Sequence, residues 1–159
     1  MILYHGSNTG IEAIDLGRCS RYKDFGRAFY LSADMQQAKE MGEFRVRISR
    51  EGETTVTSYE FNEQLLSEES TLKVKIFPHY CLEWAEFVWN NRDENQDFHH
   101  PYDIVYGPIA NDNVGFQMRR FRVNGGDLHE FLKGLKYSKG ETFQYAFCTP
   151  EAIKMLKKL

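Results

Sequence analysis

Short β-prone runs recur along this chain at irregular intervals, and helical periods interrupt them in only a few places. That spacing constrains the fold more than any other feature. Strand-like runs fall at 2–4, 28–31, 44–48, 54–60, 72–76 and 143–148, with another ending at Gly107 and Pro108. Phe-Arg-Val-Arg-Ile at 44–48 and Leu-Lys-Val-Lys-Ile at 72–76 alternate apolar with charged residues, which sets one face on a core and the other in water. Strands and helices follow no strict alternation, so the predicted class is α+β rather than a doubly wound parallel sheet.

Local signals place the remaining elements. Ser32 or Asp34 is predicted to cap a helix that runs to about Met41 and is ended by Gly42. The β-prone runs at 44–48 and 54–60, with Gly52 between them, predict a hairpin. At most a short helical piece is expected around 11–16. Residues 80–92 place Leu82, Trp84, Ala85, Val88 and Trp89 near helical spacing, and 126–136 suit a helix capped by Asp127. Thr149, Pro150 and Glu151 give a helix start with its cap, its first-turn proline and an acid on the positive end of the dipole. No repeat or linker divides the chain, and 159 residues suit a single domain spanning 1–159.

Composition excludes several functions. A net charge of −3 offers no general basic face for phosphate neutralisation. Cys19, Cys81 and Cys148 are odd in number, far apart and without a CxxC pair, so neither a disulfide framework nor a zinc site is favoured, and a reducing cytosol is the expected setting. His79, Cys81, His99 and His100 match no strong ligand spacing, so no metal is predicted. No glycine pattern of a phosphate loop or dinucleotide fingerprint follows a strand. A cysteine nucleophile with a histidine base stays open, since such partners need meet only in the fold. No charged leader precedes an apolar run and no run approaches membrane-spanning length, so the expectation is a cytoplasmic protein without a membrane partner.

Two stretches carry more information together than apart: Leu-Tyr-His-Gly-Ser at 3–7, where a strand gives way to a turn, and Asp-Phe-Gly-Arg-Ala-Phe-Tyr-Leu-Ser-Ala-Asp-Met-Gln-Gln-Ala at 24–38. Their order and separation resemble the ADP-ribosyltransferase superfamily, in the branch shared by diphtheria-type toxins and poly(ADP-ribose) polymerases. The chain is most similar there to a family of short bacterial domains. The resemblance implies a split mixed/antiparallel β-sheet core with flanking helices, and NAD as substrate. It further implies that His5 hydrogen-bonds a ribose hydroxyl and the Gly6 backbone grips the nicotinamide carboxamide. Ser7 would add a hydroxyl near the adenosine ribose, and Tyr30 would stack on the nicotinamide ring. Gly26 would let the chain turn close to the ligand, and Arg21 or Arg27 would meet the pyrophosphate.

Two positions depart from the family pattern. Gln144 stands where better-studied members have glutamate, and a neutral amide accepts a hydrogen bond but offsets growing positive charge only weakly. Met41, eleven residues after Tyr30, stands where relatives supply a second aromatic. Glu141, Asp103 and Asp112 are the other carboxylates weighed for the missing charge. The implied function is transfer of ADP-ribose from NAD to a macromolecule, protein or nucleic acid, with His5, Tyr30 and Gln144 central. The resemblance also implies an intracellular toxin with an antitoxin partner or a phage-defence role. The alternative is a catalytically weak NAD- or ADP-ribose-binding module, or an NAD glycohydrolase.

Overall fold

A computed structural model of the chain describes residues 1–159. Its elements run β1 (Ile2–Ser7), β2 (Phe29–Leu31), α1 (Met35–Ser49), β3 (Thr55–Glu60), β4 (Val74–Ile76), α2 (Leu82–Arg92), β5 (Ile104–Pro108), α3 (Val114–Val123), α4 (Leu128–Leu135), β6 (Phe143–Phe147), α5 (Pro150–Ile153) and β7 (Lys157–Lys158), with single 3-10 turns at Leu16–Arg18 and Glu63–Leu66. The protein is α+β. One antiparallel sheet has the order β1-β3-β7, and a second, mixed sheet has the order β2-β6-β5-β4 with only β4 and β5 parallel.

Alternation along the central strands builds two cores on opposite faces of the four-stranded sheet. Val105 of β5 and Ala146 of β6 point to one face, against Trp84, Ala85 and Val88 of α2, Met118 of α3 and Phe131 and Leu135 of α4. Ile104, Tyr145 and Phe147 point to the other, against Leu3 of β1, Tyr59 of β3 and Ala152 of α5. Helices therefore cover one side and the smaller sheet covers the other. The indole of Trp84, fully buried, donates to the Pro108 carbonyl at 3.0 Å and so keeps its polar atom satisfied. No helix is long and apolar enough to cross a membrane.

The two sheets are joined by a backbone bridge at one place. Tyr4 and Ser32 exchange backbone hydrogen bonds of 2.7 and 2.9 Å, and no further bridge joins β1 to β2. Beyond that bridge the strands diverge and leave a split.

Several sequence expectations hold and some do not. Asp34 caps α1 by accepting from the Gln36 N–H, Asp127 caps α4 through the His129 and Glu130 N–H groups, and Thr149 caps α5. The expected strand at 44–48 is instead the second half of α1, so the hairpin with 54–60 does not form and β3 pairs antiparallel with β1. Gly42 does not end the helix. It lies buried against β1, where a Cβ would come 3.1 Å from the Ser7 carbonyl, and the helix stops eight residues later on Arg50 in the left-handed region at φ 57°. Five alternating residues cannot set a strand when a capped helix runs into them without a breaker. Around 11–16, where at most a short helical piece is expected, only the turn at Leu16–Arg18 forms. α3 has no counterpart in the sequence reading; it buries only Val114 and Met118, one turn apart.

Candidate functional site

The split between the sheets is where His5 lies. The alternation that gives both backbone groups of Tyr4 to Ser32 turns those of Gly6 to the same side of β1, where β2 no longer follows. His5 faces β3 through its backbone and uses its side chain at the split: Nδ1 donates to the Tyr30 carbonyl at 2.8 Å. The imidazole thereby takes a ladder position on the free edge of β2, and its ring stacks on Phe29 at 4.2 Å. Because Nδ1 carries the proton, Nε2 is an acceptor. It has no protein partner and is not fully buried. Burial, and after it the Arg45 charge, holds the imidazole below its ordinary value of 6.5, against the contrary pull of the Tyr30 carbonyl.

Tyr30 is held from both ends. Its hydroxyl accepts from the Phe25 N–H at 3.0 Å and donates to the Gly26 carbonyl at 2.8 Å, so the ring plane is fixed by the loop that precedes β2. Burial, then the Asp24 charge, holds the phenol well above 10, and it stays a neutral donor. Tyr30 sits opposite Ala146 in the β2–β6 register, and alternation puts its side chain on the same face as that of Gln144.

The 24–26 loop ties these residues together. Asp24 is 4% exposed, and each of its oxygens is occupied: Oδ1 accepts from Arg92 Nε at 2.6 Å, and Oδ2 accepts from the Ala110 N–H at 3.1 Å and from Gln144 Nε2 at 3.0 Å. Three donors and no acceptor face it, the surroundings of an ionised carboxylate. The loop is also pinned by His100, whose Nε2 donates to the Phe25 carbonyl at 2.8 Å while Nδ1 accepts from the Tyr102 N–H. Gly26 takes φ 83°, and a Cβ there would come 2.8 Å from Asn91 Oδ1, so both its conformation and its contact with α2 require glycine. With Nε2 spent on Asp24, Gln144 keeps Oε1 unpaired and not fully buried.

His5, Tyr30 and Gln144 are therefore brought into one network, through the Tyr30 carbonyl, the Tyr30 hydroxyl and the Asp24 carboxylate in turn. Other sequence-predicted residues stand elsewhere. Gly6 is covered by α1, where a Cβ would lie 1.6 Å from the Ala38 carbonyl oxygen, so its absent side chain serves helix packing. Ser7 is buried and its hydroxyl accepts from the Thr9 N–H. Met41 is exposed on α1. Arg21 pairs with Asp97 and His99, and Arg27 donates to the Leu16 and Gly17 carbonyls. With Gly26, the two arginines line an adjoining depression of about 440 Å³ that also takes in Phe98, His100 and Tyr102 but none of the three central residues. A larger depression, about 730 Å³, lies over β1 and β3 beside Tyr4 and Thr57 and carries little chemistry.

The carboxylates weighed from sequence are engaged away from Gln144. Glu141 pairs with His79, Asp103 accepts from the Lys73 N–H and the Thr149 hydroxyl, and Asp112 accepts from the Tyr137 hydroxyl. The carboxylate that does meet Gln144 is Asp24, the first residue of the 24–38 stretch, which carried no expected role. Its partners Arg92 and Ala110 were missed with it. The thiols offer no ready nucleophile at two of their three positions: burial pushes Cys148 up to about 12 and also raises Cys19.

Fold and site together define a class: an α+β domain of two packed sheets with a preorganised polar network where they separate. The chain belongs to the DUF3990 family, described as proteins of unknown function, whose family pattern matches residues 1–158. No curated protein and no solved structure matches it significantly.

Proposed function

We propose that this domain binds NAD in the split between its sheets and transfers ADP-ribose to a macromolecular acceptor. One observation carries the reading. His5 Nε2 and Gln144 Oε1 are acceptors without protein partners, neither of them fully buried and both held in orientation by bonds at their other atoms. Ribose hydroxyls are donors, and two fixed acceptors suit them. The Tyr30 ring, immobilised through its hydroxyl, supplies a flat apolar surface for nicotinamide.

In the reaction the bond between the ribose C1′ and the nicotinamide nitrogen breaks, and its electron pair leaves with neutral nicotinamide. The acceptor nucleophile forms the new bond to C1′ and gives up its proton. Positive charge develops on the ribose, and preorganised dipoles stabilise it more than they stabilise the ground state. A neutral Gln144 has no basic group for the nucleophile's proton, which favours acceptors that are intrinsically good nucleophiles. The same neutrality favours the second reading, a weak module that holds NAD without turning it over.

Incubating the protein with NAD labelled on its adenylate phosphate, alone and with cell lysate, tests the proposal. Label on protein or nucleic acid supports transfer, and nicotinamide release without label transfer identifies a glycohydrolase. Saturable binding with neither outcome identifies the module, and absence of binding overturns the NAD reading altogether.

A further inference from the structure

A glutamine at the charge-bearing position of such a site needs a physical reason, and the surroundings of Gln144 supply one. Its Nε2 lies 3.0 Å from Asp24 Oδ2. A glutamate in the same rotamer would put two carboxylates at hydrogen-bond distance, an arrangement that can keep only one of them ionised. Asp24 already faces Arg92 and the Ala110 N–H, donors that hold its charge in place, while position 144 has no cationic partner of its own. The charge and the amide are therefore distributed over two residues 120 positions apart, with the carboxylate inside and the amide at the mouth.

We propose that Asp24 is the positioning residue of the site: it fixes the amide of Gln144 so that Oε1 faces the ligand, and it polarises that oxygen with the negative charge other sites carry at the glutamate itself. The inference rests on the proposed reaction for its catalytic consequence, but the pairing has its own readout. Asp24 is buried and does not reach the ligand; it acts through Gln144. The neighbouring charged and titratable groups are Arg92 on α2, Lys23 on the same loop, the Tyr30 phenol on β2, and the phenols of Tyr80 just before α2 and Tyr137 just after α4.

The test compares wild type, Gln144→Glu, Asp24→Asn and the double variant by nicotinamide release from NAD across pH 5–8 and by urea unfolding. Gln144→Glu is expected to lose activity at pH 8 and recover it on acidification, about tenfold per pH unit down to the pH at which the paired carboxylates take up their shared proton and level below it. The wild type has no such limb. Asp24→Asn is expected to lower kcat with KM little changed. The double variant, with carboxylate and amide exchanged, is expected to recover at least about tenfold of the pH 8 loss of Gln144→Glu. Recovery is partial because the Ala110 N–H loses one acceptor.

A Gln144→Glu variant at least as active as wild type at pH 8, or a double variant no better than either single one, overturns the inference. Additive effects on unfolding overturn the pairing whatever happens to NAD. Coupling in unfolding together with no NAD turnover by the wild type overturns the reaction, and with it the catalytic use of the pair.

Discussion

Replacing Gly6 with alanine separates the packing role of this glycine from any role at a ligand. The added Cβ would lie 1.6 Å from the Ala38 carbonyl oxygen, 2.7 Å from its carbon and 2.8 Å from the Gly42 nitrogen. All three atoms are backbone, so no side chain can swing aside. Ordinary contact needs about 3.5 Å, and α1 must therefore retreat by up to about 2 Å along its seam with β1. Overpacking of this kind costs about 1–3 kcal/mol. The clash belongs at the upper end, and the entropy lost by the unfolded chain on gaining a Cβ returns about 0.4–1 kcal/mol. A net loss of about 2 kcal/mol lowers Tm by about 4–8 °C in a domain of this size. Urea unfolding followed by far-UV circular dichroism and tryptophan emission reads the change directly. Gly10→Ala is the control, since nothing lies within 4 Å of its Cβ position. If Gly6→Ala is as stable as Gly10→Ala, the close approach of α1 to β1 is wrong, and the placement of His5 next to it is wrong as well.

Tyr30→Phe removes an acceptor from the Phe25 N–H and a donor from the Gly26 carbonyl, and is expected to cost about 1–3 kcal/mol in urea unfolding; a change below about 0.5 kcal/mol contradicts the loop anchoring. His5 and His100 both titrate below 6.5 in the folded protein, chiefly because burial disfavours their charged forms. The unfolded chain therefore binds protons first, and stability present above pH 6.5 is lost as pH falls through the depressed folded values. Paired exposed carboxylates such as Asp97 and Glu141 are also held low, but their contribution is lost only below the ordinary carboxylate range. The urea midpoint should fall between pH 7 and pH 5, and His5→Asn combined with His100→Gln should flatten that dependence. An equally steep dependence in the double variant assigns it to other groups.

Much of the architecture was legible because its signals are local. Asp127, Thr149 and Pro150 mark helix starts within three or four residues, and the β1 and β2 runs end in turn residues that bound them. The fate of 44–48 was not legible, because its alternation competes with a helix whose cap lies ten residues upstream at Asp34, and because Gly42 serves a tertiary contact rather than a stop. The site divides in the same way. His5, Tyr30 and Gln144 were legible only through the resemblance that the 3–7 and 24–38 stretches carry together, since by residue type alone each reads as an ordinary strand or core-edge residue. Asp24 was not legible, because its role is set by partners 68, 86 and 120 residues away, and no periodicity or spacing encodes such contacts. Arg21 and Arg27 entered through the resemblance, as cations close in sequence to Gly26, and the fold spends both on neighbouring loops.

The central claim is that His5 presents an unprotonated Nε2 to a dinucleotide at the split between the sheets. Nitrogen-15 NMR of the histidine side chains at neutral pH, with His5 assigned through the His5→Asn variant, measures this atom directly. The account predicts a neutral ring protonated on Nδ1 in the free protein, and a shift of the His5 Nε2 resonance that saturates with added NAD. A His5 ring protonated on Nε2 in the free protein, or an Nε2 resonance that does not move at saturating NAD, contradicts it.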